Sequence, residues 1–321
     1  MKTYSERRRE FIKMSIMALA AQSIPFGAIG STFIAEKRKF KMSLNPGAIG
    51  VNLSQEELLD AAVQNGFEAI VAYPSTLAGW NESQIGDFTR KMKEKKISWG
   101  AAGLPMDFRK DAETFRKGLA ELPASAAALQ KAGVTRMSTW IMPTHAELTY
   151  LKNFKQHAER LKEVAKILGD HHIQLGLEYV GPKTLMASQK FSFVHTMPEC
   201  AELIEAIGES NVGYQLDTFH WFCAGEKKED LLRLRKDQIV TVDLNDARTG
   251  LSADEQLDQK RELPVATGVI DTRSFLEALV EIGYDGPVRA EPFNQALNAM
   301  GNDQALKTTY NALKKAFSLI G

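Results

Sequence analysis

The segment "NLSQEELLDAAVQNGFEAIVAY", residues 52–73, contains one complete structural unit. Ser54 and Glu57 have the spacing of a helix capping box, and leucines and alanines follow at helical spacing on one face. Gly66 ends this predicted helix, and the short apolar run after it predicts a buried strand. The segment therefore predicts a helix that is connected directly to a strand.

The same helix-then-strand unit recurs along the chain. The predicted strands are "FKMSL", "FEAIVA", "ISWGAAGL", "TRMSTWIM", "IQLGLEYV", "VGYQLD", "IVTVDL" and "VRAEPF". Strands that alternate with helices form a parallel sheet, and eight of them predict an α/β fold with a single (β/α)8 TIM barrel over residues 36–321. An open doubly wound sheet is the alternative, but no G-x-G-x-x-G motif follows the first strand.

The composition narrows the class of partner. Forty basic and forty acidic residues give a formal net charge of zero, so no overall field attracts nucleic acid or an anionic membrane. The two cysteines, Cys200 and Cys223, fall in separate helix–strand units without metal-type spacing. We therefore expect two unpaired thiols, and we expect no nucleic-acid partner.

The first 35 residues have the pattern of an export signal followed by the start of the mature chain. Arg8 and Arg9, followed by Phe11 and Lys13, resemble the twin-arginine motif, and an apolar stretch comes after them. This pattern predicts export by the twin-arginine pathway to the periplasm, with no stable membrane insertion after processing. The alternative is an uncleaved signal that anchors the protein in the membrane.

The later strands end in acidic residues. In a (β/α)8 barrel the C-terminal strand ends form the active site, so these carboxylates should converge. They are Glu178, Asp217, Asp243 or Asp246, and Glu291. Each could cap a helix or pair with an arginine, but gathering several carboxylates costs several kcal/mol unless a cation compensates them. The pattern predicts a divalent metal ion, and His220 should reach the same cavity to contact metal or substrate.

The motifs "GLEYVGPKT", "LDTFHW", "VDLNDA" and "AEPF" resemble the xylose isomerase-like TIM barrel superfamily, in particular its sugar phosphate isomerase/epimerase branch. The resemblance implies a divalent ion bound by four side chains. Glu178, Asp217 and Glu291 match ligand positions, and Asp243 matches a fourth that is usually histidine. An all-carboxylate set favours Mn²⁺ first, with Mg²⁺, Co²⁺ or Zn²⁺ as other candidates.

The resemblance also implies a function, a metal-dependent sugar isomerase or epimerase. It implies proton abstraction beside a carbonyl through a metal-bound enediolate, with Glu178 and Glu291 as the catalytic acid/base pair. The side chains expected to bind substrate are His220, Lys183, Arg248 and, by stacking on a sugar face, Trp140. The expected partner is a small carbohydrate, and no sequence feature specifies an oligomeric state.

Two other functions remain open from the sequence. If the enolate expels a substituent from the next carbon, the enzyme is a metal-dependent lyase that performs β-elimination, and export favours 3-keto-glycosides as its substrates. The other is a non-catalytic periplasmic sugar-binding protein, against which the acidic cluster argues. No convincing phosphate cradle occurs in the chain, so we do not expect a sugar phosphate.

Overall fold

The predicted strands form a curled parallel sheet. The computed structural model describes residues 38–321, so the predicted export signal lies outside the described residues. The barrel strands are β1 Lys41–Leu44, β2 Ala69–Ile70, β3 in two segments Ser98–Trp99 and Ala102–Gly103, β4 Arg136–Ile141, β5 Gln174–Tyr179, β6 Val212–Asp217, β7 Ile239–Leu244 and β8 Pro287–Ala290. Their order is 3-2-1-8-7-6-5-4-3, and the two segments of β3 end the sheet. The predicted TIM barrel is confirmed.

Helices connect the strands. They are α1 Gln55–Asn65, α2 Pro74–Gly79, α3 Glu82–Glu94, α4 Ala112–Ala132, α5 Tyr150–Asp170, α6 Lys183–Met186, α7 Met197–Ile207, α8 Thr218–Cys223, α9 Lys228–Leu231, α10 Thr272–Ile282, α11 Gln295–Asn298 and α12 Asn302–Phe317. The capping box predicted at Ser54 and Glu57 is present, and Gly66 ends α1 with a φ of 88°. Within residues 38–321, every helix is too short or too polar to cross a membrane.

Alternation along the strands separates the hydrophobic core from the site. In β5, the buried Leu175, Leu177 and Tyr179 alternate with Gly176 and Glu178. Successive residues of a strand point to opposite faces, so the apolar set packs against the helices while the other set faces the barrel interior. A single hydrophobic cluster fills the space around the strands. This core fixes which face each acidic strand end presents.

The strand register brings the polar strand ends to one level. Asp217 of β6 lies opposite Asp243 of β7, and Asp243 lies opposite Arg289 of β8. On the other side, Glu178 of β5 lies opposite Trp140 of β4. Partnered residues on neighbouring strands point to the same face, so these side chains share the mouth of the barrel.

The two cysteines are buried and unpaired, which confirms the expectation of free thiols. Cys200 lies in α7 and Cys223 ends α8, and burial raises the pKa of both thiols. A buried neutral thiol reacts slowly, because the thiolate is the nucleophilic form. Both side chains therefore act as small apolar groups in the core.

Gly181 allows the chain after β5 to pass close to α8. A Cβ at Gly181 would collide with the carbonyl oxygen of His220. The glycine is therefore required by a close backbone approach, which also sets the position of His220. A change in the distance between the segment after β5 and α8 would therefore move His220.

We predict that G181A lowers the free energy of unfolding by about 1–3 kcal/mol, because the added methyl group forces the backbone to shift. The control is G86A on exposed α3, where a Cβ meets nothing within 4 Å. This control should instead stabilise the protein by about 0.5–1 kcal/mol, since alanine favours helix over glycine. Urea unfolding measures both changes, and equal stability of the two variants would contradict the account of Gly181.

Candidate active site

A cavity of about 710 Å³ opens among the C-terminal ends of the strands. Its polar wall is formed by Glu178, Gln215, His220, Arg261, Arg289 and Glu291. Its apolar wall is formed by Val71, Tyr73, Trp140, Met142, Leu185 and Phe293. A mostly apolar cavity with a few convergent polar groups is typical of a small-molecule site.

Four carboxylates converge beside this cavity. Glu178, Asp217, Asp243 and Glu291 each offer an oxygen atom, and these four atoms lie within 4.8 Å of one another. Glu178 Oε1 is buried and has no hydrogen-bond partner among the described residues. Hard oxygen donors at this spacing, one of them buried without a partner, fit a divalent cation. The structure thus brings together the four side chains that the sequence suggested as ligands.

Asp243 is bound by a buried arginine. Arg289 Nε donates to Asp243 Oδ1 at 2.5 Å, and Arg289 Nη2 donates to Oδ2 at 3.0 Å. Gln215 Nε2 also donates to Oδ2, at 2.8 Å. The register of β7 and β8 places Arg289 opposite Asp243 and so makes this pair.

A second arginine, Arg261, lies within the acidic cluster. Its Nη1 donates to Asp217 Oδ2 at 2.9 Å, and its Nη2 donates to Asp258 Oδ1 at 2.7 Å. Nη1 also lies 3.5 Å from Glu291 Oε2. Sequence reasoning missed Arg261, because it follows β7 in the charged loop sequence "DQKREL", which has no apolar periodicity to indicate burial. It is nevertheless only 2% exposed.

The pKa values of both glutamates of the cluster are raised. Burial, reinforced by the charges of Glu291, Asp217 and Asp243, raises the pKa of Glu178 well above its ordinary value. Burial also raises the pKa of Glu291, to about 8, and the charge of Asp243 adds to this effect. A raised pKa lets a carboxyl group hold a proton closer to neutral pH, which is a property required of a general acid or base.

His220 lies in the same buried region as a neutral imidazole. Burial is the main cause that lowers its pKa, to about 3. Its Nε2 lies 3.2 Å from Arg261 Nη2 and 3.7 Å from Glu178 Oε1. Because a guanidinium only donates, Nε2 accepts and the ring proton lies on Nδ1. Nδ1 is buried without a partner among the described residues.

Trp140 lies at the cavity wall, as the substrate-stacking prediction requires. The indole is 42% exposed, and the guanidinium of Arg109 lies 4.2 Å from the ring centroid. Arg109 is itself fixed by Asp107 and by the carbonyl oxygen of Trp140. The ring is therefore a positioned aromatic surface at the mouth of the cavity.

The structure does not bring Lys183 and Arg248 to the cavity. Lys183, the first residue of α6, forms an exposed ion pair in which its Nζ lies 2.8 Å from Asp254. Arg248 has an exposed side chain, and its backbone N–H donates to Gln256. Neither side chain lines the cavity, which differs from their predicted role in substrate binding. Motif order placed them near the site but could not give the direction of a side chain that lies beyond the end of a strand.

Asp246, the other candidate acid of strand seven, has a structural position. Its carboxylate accepts hydrogen bonds from the backbone N–H groups of Thr267, Gly268 and Ile270. These bonds tie the end of β7 to the loop before α10. Asp243, and not Asp246, therefore belongs to the acidic cluster at the cavity.

Glu226, a buried acid outside the cluster, accepts hydrogen bonds that connect β5 to α7. The Tyr179 hydroxyl donates to Glu226 Oε2, and the N–H of Met197 donates to Glu226 Oε1 at 2.6 Å. These contacts join the strand residue next to Glu178 to the start of α7. Burial is the main cause that raises the pKa of Glu226, from 4.5 to about 7.

This shift predicts a pH dependence of folding stability. The folded protein binds the Glu226 proton more tightly than the unfolded chain, so this stabilisation is full below pH 4.5 and is lost as the pH rises through 7. We expect the free energy of unfolding in urea to fall from pH 5 to pH 8. The fall should be smaller in E226Q, whereas equal slopes for variant and wild type would contradict the assignment.

A family model for the xylose isomerase-like TIM barrel matches residues 59–316. The chain belongs to this family. An inosose isomerase from Bacillus velezensis is 22% identical over 84% of the chain and 94% of its own length. An inosose dehydratase from Lacticaseibacillus casei is 26% identical over 44% of the chain and 52% of its own length.

Solved structures of xylose isomerase-like barrels share the fold. A xylose isomerase domain protein from Alicyclobacillus acidocaldarius superposes with a TM-score of 0.77 at 27% identity, covering 88% of this chain and 99% of that one. The IolI protein with a bound zinc atom gives a TM-score of 0.71 at 20% identity, covering 87% and 98%. The resemblance to this superfamily that the sequence motifs indicated is confirmed.

Proposed function

We propose that this xylose isomerase-like protein is a divalent-metal-dependent isomerase or epimerase of a small carbohydrate. The observation that carries the proposal is the pair of Glu178 and Glu291 at the cavity wall, because neither side chain has a hydrogen-bond partner among the described residues. Both pKa values are raised by burial, so each group can take up or release a proton. The inosose isomerase relative supports the same reaction class.

The geometry supplies distinct roles for the side chains. Glu178 comes from β5 and Glu291 follows β8, so they reach the cavity from strands separated by β6 and β7. One carboxylate removes the proton beside the substrate carbonyl, and the other returns a proton to the product. A divalent ion bound at the carboxylates would supply Lewis-acid polarisation of the carbonyl. The buried guanidinium of Arg289 also lines the cavity and stabilises negative charge on the substrate oxygen.

The cavity walls support a sugar-like substrate. Polar groups on one wall suit hydroxyl and carbonyl oxygens, while Trp140 offers an aromatic surface for the apolar face of a sugar ring. The export-signal pattern of the first 35 residues supports a reaction that takes place in the periplasm. We therefore propose a carbohydrate that is met outside the cytoplasm.

A lyase is the second candidate, favoured by the inosose dehydratase relative. Its first step is the same removal of a proton beside a carbonyl. In a lyase the electron pair of the enolate then expels a substituent from the next carbon, and an acid such as protonated Glu291 donates a proton to the leaving group. A 3-keto-glycoside has the required carbonyl and substituent.

The deciding experiment is proton NMR in D₂O with the Mn²⁺-supplied mature protein, mixed separately with inosose, free ketoses and a 3-keto-glucoside. Deuterium incorporation beside the carbonyl of an intact sugar would support the isomerase or epimerase. Release of the substituent would support the lyase instead. Tight binding without exchange or release would contradict both and favour a sugar-binding protein.

We predict that, at Mn²⁺ concentrations that saturate each variant, E178Q and E291Q each lower kcat by about 10²–10⁴-fold, because the amide cannot transfer the proton. The controls are K183M and R248M, whose side chains do not line the cavity, and both should retain kcat within about threefold. Steady-state kinetics on whichever substrate reacts in the NMR experiment gives all four values. Activity retained in either glutamine variant would overturn the acid/base assignment.

A further inference from the structure

We propose that the divalent ion of this site is bound by the two glutamates alone among the four carboxylates. Asp217 and Asp243 serve instead as anchors for Arg261 and Arg289. The inference rests on the proposed metal-dependent function and assigns the ligands of that same site. The sequence motifs suggest all four acids as ligands, whereas this inference assigns metal binding to the two glutamates and arginine binding to the two aspartates.

Protein donors occupy most of the acceptor capacity of Asp243. A carboxylate offers about four lone-pair positions. Three of them at Asp243 receive the Nε and Nη2 groups of Arg289 and the amide of Gln215, at 2.5–3.0 Å. Asp243 is fully buried, so a cation that displaced Arg289 would leave a guanidinium without its partner in a buried place. Breaking such a pair costs several kcal/mol, which favours the arginine over the ion.

Protein donors fill Asp217 completely. Its Oδ1 accepts from the backbone N–H groups of Phe219 at 2.6 Å and His220 at 3.3 Å. Its Oδ2 accepts from Asn245 at 2.7 Å and from Arg261 at 2.9 Å. Four donors match the four lone-pair positions, so metal binding would require Asp217 to give up an existing bond.

The carboxylate oxygens of the two glutamates, unlike those of the aspartates, accept no hydrogen bonds within the described part of the chain. Glu178 is 5% exposed, and its Oε1 has no hydrogen-bond partner among the described residues. Glu291 Oε2 lies 3.5 Å from Arg261 Nη1, beyond the ordinary range of a charge-assisted hydrogen bond. Both side chains line the cavity, whereas Asp217 and Asp243 do not. An ion that enters from the cavity therefore meets the two glutamates first.

The arrangement of the ion pairs supports the distinction between the aspartates and the glutamates. Arg289 compensates Asp243, and Arg261 contacts both Asp217 and Asp258. In the described part of the chain, the side chains of the two glutamates accept no hydrogen bond from a cationic group, and Glu291 has only the longer 3.5 Å ion pair with Arg261. A divalent ion supplies two positive charges at that place. Ions bound by one or two carboxylates keep several water molecules, which substrate oxygens can replace.

The experiment measures Mn²⁺ affinity directly, through the electron paramagnetic resonance signal of free Mn²⁺, and needs no turnover. The decisive variants are the double substitutions D243N/R289Q and D217N/R261Q, each of which removes one negative and one positive charge. If the aspartates are anchors, neither double variant should raise the Kd for Mn²⁺ more than about threefold above that of wild type. E178Q and E291Q should weaken binding by at least about thirtyfold, because each removes a ligand.

Loss of Mn²⁺ affinity in either double variant, as large as the loss in E291Q, would overturn the proposal. Circular dichroism melting identifies a double variant that does not fold, and the single variant D243N or D217N then replaces it. Each single variant removes the same charge as E291Q, so the electrostatic loss of affinity is shared and a larger loss in E291Q reports its role as a ligand. A single variant that weakens binding as much as E291Q would also overturn the proposal.

Failure of the proposed function gives a different result. In that case Mn²⁺ would bind through the glutamates as described, while the NMR experiment would show neither deuterium incorporation nor release of a substituent. The opposite result is also distinguishable. If deuterium enters the sugar but the Mn²⁺ affinity depends on Asp243, the proposed function stands and the ligand assignment is overturned. A wild-type protein that does not bind Mn²⁺ would overturn the ligand assignment and the metal dependence together.

Discussion

The structure depends on how it compensates carboxylates that the barrel buries together. Removing a carboxylate from water disfavours its charged form, and a neighbouring carboxylate adds to that cost. Glu178, Asp217, Asp243 and Glu291 all show a pKa that is raised, with burial as the first cause. Arginines donate hydrogen bonds to the two aspartates, whereas Glu178 accepts none from an arginine and Glu291 has only a 3.5 Å ion pair with Arg261. This imbalance points to both a cation and proton transfer at the glutamates.

The fold produces this arrangement with few local devices. Strand register places Asp217, Asp243 and Arg289 side by side, because parallel neighbours with paired Cα atoms present the same face. Close passage at Gly181 positions α8, and with it His220. The loop after β7 adds Arg261, whose guanidinium contacts acids from two different places in the chain. The site is therefore a property of the whole C-terminal half of the barrel.

The sequence predicted the fold and the acidic cluster because both follow from periodic features. Apolar runs separated by capped helices specify the strands, and parallel strands must bring Glu178, Asp217, Asp243 and Glu291 to one end. Arg261 was not predictable in the same way, because a charged residue in a loop has no period that reveals burial. The same reason explains why the sequence did not show that Lys183 and Arg248 lie outside the cavity lining, since the directions of side chains beyond the strand ends depend on tertiary contacts.

Anomalous diffraction from crystals of the protein grown with Mn²⁺ tests the assignment of the two glutamates as ligands most directly. If the two glutamates bind the ion, one strong anomalous peak should lie in the cavity, within roughly 2.0–2.6 Å of carboxylate oxygens of both Glu178 and Glu291. In the same map Arg289 should still contact Asp243, and Arg261 should still contact Asp217. A peak coordinated by Asp243 with Arg289 displaced, or no peak in the cavity, would contradict this assignment.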